Sequence, residues 1–137
     1  MADQLWNTAE RDLSIHLPEG SIDPIVWEHS ARVARTAELL LDIPELKERT
    51  VDRQALVLAA LYHDAGWVLQ YQSGEIPARD LLLKPSSDLQ REIAADWMAE
   101  RARNLVSLGC IALAARAIRE CNNRRTDLLE AQILSDA

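Results

Sequence analysis

The stretch Leu58-Ala59-Ala60-Leu61-Tyr62-His63-Asp64-Ala65-Gly66 carries a histidine and an aspartate at the end of the most apolar helical segment of the chain. His63 follows Leu56 and Ala59 at spacings of seven and four residues, so helical geometry places these three residues on one face. Burying an imidazole and a carboxylate is costly unless they are paired, hydrogen-bonded or bound to a cation. His63 and Asp64 therefore need a partner inside the fold.

A second histidine also lies on an apolar helix face. The chain has three histidines, and His29 follows Val26 by three residues, which places it on the buried stripe of its helix. A divalent cation bound by His29, His63 and Asp64 would satisfy both helices. A hydrogen-bonded core histidine is the simpler alternative for either histidine alone. His16 stands at the predicted end of the first helix, where a structural or solvent-facing role is expected.

The composition predicts an all-α fold in a single domain over residues 1–137, with about six helices in an irregular bundle. With four glycines, no phenylalanine and no alternating pattern, strands are not expected. Residues 1–22 are predicted to form a helix and a turn. The segment 67–85 lacks periodicity and predicts a long connection or short helical pieces.

The predicted helices run over residues 3–15, from the cap at Asp23 to about Leu41, from Thr50 or Asp52 to His63, from the capping box of Ser87 and Gln90 to about Leu108, from Cys110 to Cys121 after Gly109, and from Thr126 or Asp127 onward.

Charge and hydropathy restrict the classes of partner. The net charge of −7 disfavours binding to nucleic acid or to an anionic membrane, since both require clustered lysine and arginine. The chain has no apolar run long enough for a membrane span, and no secretory signal at its amino terminus. A cytoplasmic protein is therefore expected. A small anionic substrate would need local positive charge, such as a metal.

The candidate ligands lie in two longer segments, Trp27-Glu28-His29-Ser30-Ala31-Arg32-Val33-Ala34 and residues 58–66. The first segment resembles the helix that carries the first metal ligand in the HD superfamily of metal-dependent phosphohydrolases, and the second resembles the signature helix of that superfamily. Residues 127–137 are similar to its last helix. The resemblance covers about residues 24–137 and implies an HD-type helical domain.

The resemblance implies a divalent metal ion held by His29, His63, Asp64 and a late aspartate. Related chains commonly end this segment with Asp-Ala-Asp and use the second aspartate, so the fourth ligand is either Asp136 or a residue beyond Ala137. Mixed imidazole and carboxylate ligands suit Mn²⁺, Fe²⁺, Co²⁺, Ni²⁺ or Zn²⁺, and Mg²⁺ is a further candidate. The resemblance also implies a catalytic Asp64 that orients or deprotonates the attacking water.

Other positions refine the chemistry that the resemblance implies. Arg32, one turn beyond His29, is a candidate to hold a phosphate oxygen during catalysis. Two-metal relatives carry further histidines after the signature, whereas residues 65–137 contain none, so one metal is expected. Cys121 stands where a histidine is common and is expected to be a small buried residue. No lysine follows Gly66, unlike in signalling phosphodiesterases of the superfamily, which disfavours hydrolysis of cyclic dinucleotides.

These features lead to three functional hypotheses. The leading hypothesis is a phosphohydrolase acting on a small phosphoester, with a nucleotide as one candidate, and with Arg79 and Lys84 as candidate substrate contacts. The alternative is a catalytically silent HD domain that serves as a ligand-binding or regulatory interaction module. A helical scaffold with no bound metal is the third. The sequence leaves open whether the chain forms a homo-oligomer.

Overall fold

The apolar segment before His63 forms the helix around which the other elements pack. We describe the protein from a computed structural model that covers residues 2–47, 49–122 and 125–137. Its elements in chain order are α1 (Ala2–Leu13), β1 (Ile15–His16), β2 (Ile22–Asp23), α2 (Ile25–Leu40), α3 (Pro44–Lys47), α4 (Arg53–Tyr62), α5 (Ala65–Gln72), a 3₁₀ turn (Ala78–Asp80), α6 (Asp88–Ala102), α7 (Leu108–Glu120) and α8 (Leu129–Asp136).

Helix α4 is central because it has almost no polar face. Residues 55–62 are all buried, and the helix packs against α1, α2, α6, α7 and α8. It begins at the predicted cap Asp52, whose side chain accepts a hydrogen bond from the Ala55 amide at 2.9 Å. At its other end, the Tyr62 hydroxyl donates to Asp12 of α1 at 2.6 Å. The carboxyl end of α4 therefore holds His63 at a fixed position among the surrounding helices.

The all-α class is confirmed, but the expectation of no strands is wrong in one place. Strands β1 and β2 pair antiparallel, with Ile15 opposite Asp23 and His16 opposite Ile22. Each strand has only two residues, which is too short for an alternating pattern to be visible in the sequence. The turn between them is closed by Gly20, whose φ of +94° is a conformation that glycine adopts without strain. His16 is therefore an exposed strand residue rather than the end of a helix.

The boundary between α6 and α7 also differs from the prediction. The capping box of Ser87 and Gln90 opens α6 as predicted, but α6 ends at Ala102. The Ser107 hydroxyl accepts from the Cys110 amide at 3.1 Å and caps α7, so Gly109 lies inside the first turn of α7 rather than ending a helix. A side-chain cap that satisfies an otherwise unpaired amide thus fixes this boundary.

For the region from 67 to 85, the sequence predicted either a long connection or short helical pieces, and the structure has short helical pieces. Helix α5 and the 3₁₀ turn precede a segment from Leu81 to Ser86, whose two end residues are buried. Leu82 has a φ of 60°, an uncommon conformation for a bulky side chain, and Leu83 is exposed. This segment, which we call the wall segment, runs beside His63 and Asp64.

Across the part of the chain that the structure describes, no helix combines the length and the apolar character needed to cross a bilayer.

Candidate metal centre

Three of the predicted ligands converge at the meeting point of α2, α4 and α5. His29 projects from α2, while His63 and Asp64 occupy the connection between α4 and α5. The Nε2 atoms of His29 and His63 lie 2.9 and 3.1 Å from the same oxygen, Oδ2 of Asp64. One ligand atom from each residue lies within 4.8 Å of the other two. This arrangement groups two imidazoles and one carboxylate around a single point.

A hydrogen bond of the His63 ring shows which of its two nitrogens carries a proton. The other nitrogen then has a lone pair that faces the Asp64 carboxylate. His63 Nδ1 lies 2.6 Å from the Ala60 carbonyl oxygen, which can only accept, so Nδ1 carries a proton. In the neutral ring, Nε2 is then an acceptor, and it faces another acceptor on Asp64. Either a second ring proton or a cation relieves this contact. A divalent cation suits the site, because metal-binding histidines commonly donate their other N–H to a backbone carbonyl.

The second oxygen of Asp64 is held by the protein. Oδ1 accepts a hydrogen bond from the Ser86 hydroxyl and lies 3.8 Å from Arg91 Nη1. Burial acts to raise the pKa of Asp64, but the charge of His63, hydrogen bonds from both histidines and Arg91 together hold that pKa well below its usual range. Asp64 is therefore a carboxylate at neutral pH, as a metal ligand must be.

Sequence reasoning missed Arg91, which lies beside the cluster. Its Nη1 donates to the His63 carbonyl oxygen at 3.1 Å, its side chain is 11% exposed, and its buried Nε has no hydrogen-bond partner among the residues that the structure describes. One signal was present: Arg91 precedes the buried residues Ala94, Ala95 and Met98 by three, four and seven residues. A cation on an apolar helix face needs a partner for the same reason as His29 and His63.

Two cavities are lined by residues of the cluster. The first, of about 390 Å³, is bounded by the three clustered residues, Arg91 and the wall segment, including Lys84. The second, of about 240 Å³, is lined by His29, His63 and Arg91, and also by Cys121, Asn122 and the carboxyl-terminal residues Leu134, Ser135 and Ala137. The cluster is therefore accessible to small molecules as well as to ions.

A third cavity adjoins the first one across the wall segment. It has a volume of about 480 Å³ and shares Leu83, Lys84 and Pro85 with the first cavity. Its other lining residues are Trp67, Gln70, Ile76, Asp80, Ser87 and Gln90. Gln90 Nε2 donates to Gln70 Oε1 at 2.7 Å, which fixes one amide against the other. This cavity offers both apolar surface and hydrogen-bonding groups next to the cluster.

The other predicted site residues are not members of the cluster, and of these only Lys84 lines a cavity that contains it. Asp136 is exposed and does not join the three ligands, although its neighbours Ser135 and Ala137 line the second cavity. Arg32 and Arg79 are exposed and line neither cavity that contains His29 and His63. The proposed roles of Asp136 and Arg32 stay predictions. Lys84, in contrast, is one of the residues that border the first cavity.

Cys121 is buried at the end of α7, beside the second cavity. Its thiol donates to the Ile118 carbonyl oxygen at 3.1 Å, and burial raises the pKa of the thiol. A protonated buried thiol is a poor metal ligand, since metals bind the thiolate. Cys121 thus has the character of a small buried residue that its sequence context predicted.

Comparison with known proteins agrees with this geometry. The model of the family described as the HD domain matches residues 26–137, which includes His29, His63 and Asp64. Neither the comparison with curated proteins nor the comparison with solved structures finds a match. The matched region covers most of the chain and contains all three clustered residues. The chain belongs to the HD domain family.

Proposed function

We propose that this protein is a metal-dependent phosphohydrolase that acts on a small phosphoester. The observation that carries the proposal is the cluster of His29, His63 and Asp64 at a cavity that also exposes two cationic side chains, Arg91 and Lys84. Membership of the HD family supports the same reaction class. In a chain with a net charge of −7, two cations beside one cavity favour an anionic ligand there.

His29, His63 and Asp64 would hold one divalent cation. When bound, such a cation polarises a phosphoryl oxygen and makes water more acidic. Two of the three ligands are held in place by other groups of the protein: the Ala60 carbonyl orients the His63 ring, and Ser86 and Arg91 hold the Asp64 carboxylate. The catalytic role that the resemblance implies for Asp64, to orient or deprotonate the attacking water, is part of this proposal.

Arg91 and Lys84 are the groups that we expect to bind the phosphoryl oxygens. Arg91 is anchored through Nη1 to the His63 carbonyl, which leaves part of its guanidinium for an anion in the first cavity. Guanidinium groups form strong, directional hydrogen bonds with phosphate. Lys84 stands in the wall segment, between the first and third cavities. Together they would orient a phosphoester with its leaving group toward the third cavity.

The size of the third cavity sets the class of substrate. About 480 Å³ lies in the range of small-molecule sites in proteins. Trp67 and Ile76 provide apolar surface there, while Gln70 and Ser87 provide hydrogen-bonding groups. We therefore propose a small phosphorylated molecule, such as a nucleotide, as the substrate. Nucleic acid and membrane lipid are disfavoured by the negative charge of the chain.

The test is release of inorganic phosphate from a panel of nucleotides, sugar phosphates and an aryl phosphate. Each reaction is run with Mn²⁺, Co²⁺, Ni²⁺, Zn²⁺ or Mg²⁺ and again after treatment with a chelator. We expect hydrolysis that chelation abolishes and that one of these metals restores. Metal binding without turnover of any substrate would support the catalytically silent alternative, and the absence of metal binding would support the scaffold.

The role of Arg91 can be tested by exchanging it for glutamine. Because a hydrogen bond from a charged donor contributes about 1.5–3 kcal/mol, we expect Arg91→Gln to raise KM by at least about tenfold. Arg103→Gln, at an exposed arginine after α6, is the control and should leave KM unchanged. Steady-state kinetics on the best substrate of the panel measures both. A rise in KM for Arg32→Gln but not for Arg91→Gln would favour the assignment made from sequence.

A further inference from the structure

Ser86 lies at the centre of a directional chain of hydrogen bonds that ends on the candidate metal ligand Asp64. The Trp67 indole N–H donates to Ser86 Oγ at 3.0 Å, and Ser86 Oγ donates to Asp64 Oδ1. An indole nitrogen can only donate, so the single hydroxyl proton of Ser86 must point to the carboxylate. Asn122 Nδ2 donates to the Ser86 carbonyl oxygen at 3.0 Å and holds the backbone at this position.

These hydrogen bonds fix the orientation of the Asp64 carboxylate within the cluster of His29, His63 and Asp64. Rotation of an aspartate carboxylate about its last torsion angle is soft, so the side chain alone does not fix which oxygen faces the histidines. Ser86 holds Oδ1 on one side, while Oδ2 lies 2.9 and 3.1 Å from the two Nε2 atoms on the other. The three hydrogen-bonded residues are all buried: Trp67, Ser86 and Asp64 are each 6% exposed. Water therefore competes little for these bonds.

We propose that Ser86 and Trp67 are positioning residues that orient the Asp64 carboxylate for metal binding. The proposal rests on the proposed metal centre and extends it to two residues outside the ligand set. Neither residue would contact the metal. Their effect would pass through Asp64 Oδ1, and it would appear first in metal affinity rather than in binding of the substrate.

Trp67 also links the metal cluster to the third cavity, which it lines. Its indole N–H is bonded through Ser86 to the carboxylate that would bind the metal. A cation that draws electron density from Asp64 would change the hydrogen bond of Ser86 and, through it, that of the indole. The indole resonance is therefore expected to report metal binding without any substrate or turnover.

The experiment follows the four tryptophan indole N–H resonances of ¹⁵N-labelled protein during a titration with Zn²⁺. Trp67→Phe identifies the signal of Trp67 by its loss. We expect that signal to shift on addition of Zn²⁺ in the unmodified protein, and to lie at a different position in metal-free Ser86→Ala. The other three indole signals should be unchanged in Ser86→Ala, which shows that the variant is folded.

Zinc affinity, measured by calorimetry on the same samples, gives the second readout. Residues that hold a metal ligand in place typically contribute 10- to 100-fold to affinity, so Ser86→Ala should weaken zinc binding by about tenfold or more. Ser30→Ala is the matched control, because Ser30 is fully buried and, within the described part of the chain, its hydroxyl has no hydrogen-bond partner. Its zinc affinity should equal that of the unmodified protein.

Two outcomes would overturn different proposals. Equal zinc affinity in Ser86→Ala and in the unmodified protein would refute the positioning role while leaving the metal centre intact. Absence of zinc binding by the unmodified protein would refute the metal centre itself. Loss of zinc affinity in Ser86→Ala together with inactivity toward every phosphoester would sustain the positioning role and reject the phosphohydrolase.

Discussion

Replacing His63 by alanine is expected to weaken metal binding by more than about 100-fold and to abolish metal-dependent phosphate release. His63 supplies one of the three clustered ligand atoms, and its ring is held by the Ala60 carbonyl so that Nε2 faces the Asp64 carboxylate. Without the ring, two ligands from different helices would remain. The measurements are calorimetric titration with Zn²⁺ or Mn²⁺ and release of phosphate from the best substrate.

The chain provides a matched control for this variant. His16 is an exposed histidine in β1 and is not part of the cluster, so His16→Ala removes the same group at a position that holds no candidate ligand. We expect His16→Ala to retain metal affinity and activity. Thermal unfolding of both variants separates loss of the site from loss of the fold. Full metal-dependent activity in a folded His63→Ala protein would contradict the proposed mechanism.

The residues that could be predicted from sequence are those whose place on an apolar helix face follows from helix periodicity, although His63 is buried while the His29 side chain is 35% exposed. His29 and His63 stand on apolar stripes, and an ionisable group on such a stripe needs a partner wherever the helix packs. Helix spacing does not predict which helices meet. The convergence of His29 and His63 on Asp64 was therefore a hypothesis that also required the resemblance to the HD superfamily. The structure brings these three residues together.

Ser86 and Arg91 could not be assigned in the same way. Ser86 lies in the wall segment, where the chain has no repeating pattern from which to predict the direction of a side chain. Arg91 does follow the period of α6, but a long arginine side chain on a helix is usually solvated, so its position alone carried little weight. Their roles depend on contacts between α6, α5 and the wall segment, which only the tertiary structure provides.

The positions of Arg32 and Asp136 show that spacing along one helix does not by itself fix the exposure of a side chain, and their roles stay predictions. Arg32 is one turn beyond His29, but it is exposed and does not line the cavities at the cluster. Asp136 follows Ile133 by three residues, yet Ile133 is buried and Asp136 is exposed. A helix face about 100° wide becomes buried, and residues at its border can point either way.

Gly66→Ala is expected to destabilise the fold, although alanine usually favours a helix. A Cβ atom at Gly66, which lies in α5, would stand 2.6 Å from the Gln90 carbonyl oxygen and 3.1 Å from Gln90 Cα. Both atoms belong to the backbone of α6, so no side-chain rotation can relieve the contact. Overpacking of this kind costs about 1–3 kcal/mol, while the gain in helix propensity is at most about 1 kcal/mol. The two helices must therefore separate.

Gly109→Ala is the control that isolates this close approach from helix propensity. Gly109 also lies in a helix, α7, but a Cβ atom there would meet no atom of the described residues within 4 Å, so the substitution should stabilise the protein by up to about 1 kcal/mol. In thermal unfolding we expect Gly66→Ala to lower Tm and Gly109→Ala to raise it, each by several degrees. Because Arg91 directly follows Gln90, Gly66→Ala should also raise KM as the guanidinium moves away from the cavity. An unchanged or higher Tm for Gly66→Ala would mean that α5 and α6 are not packed backbone against backbone. In that case Gly66 would not set the distance between the Asp64 carboxylate, which precedes α5, and Arg91 on α6.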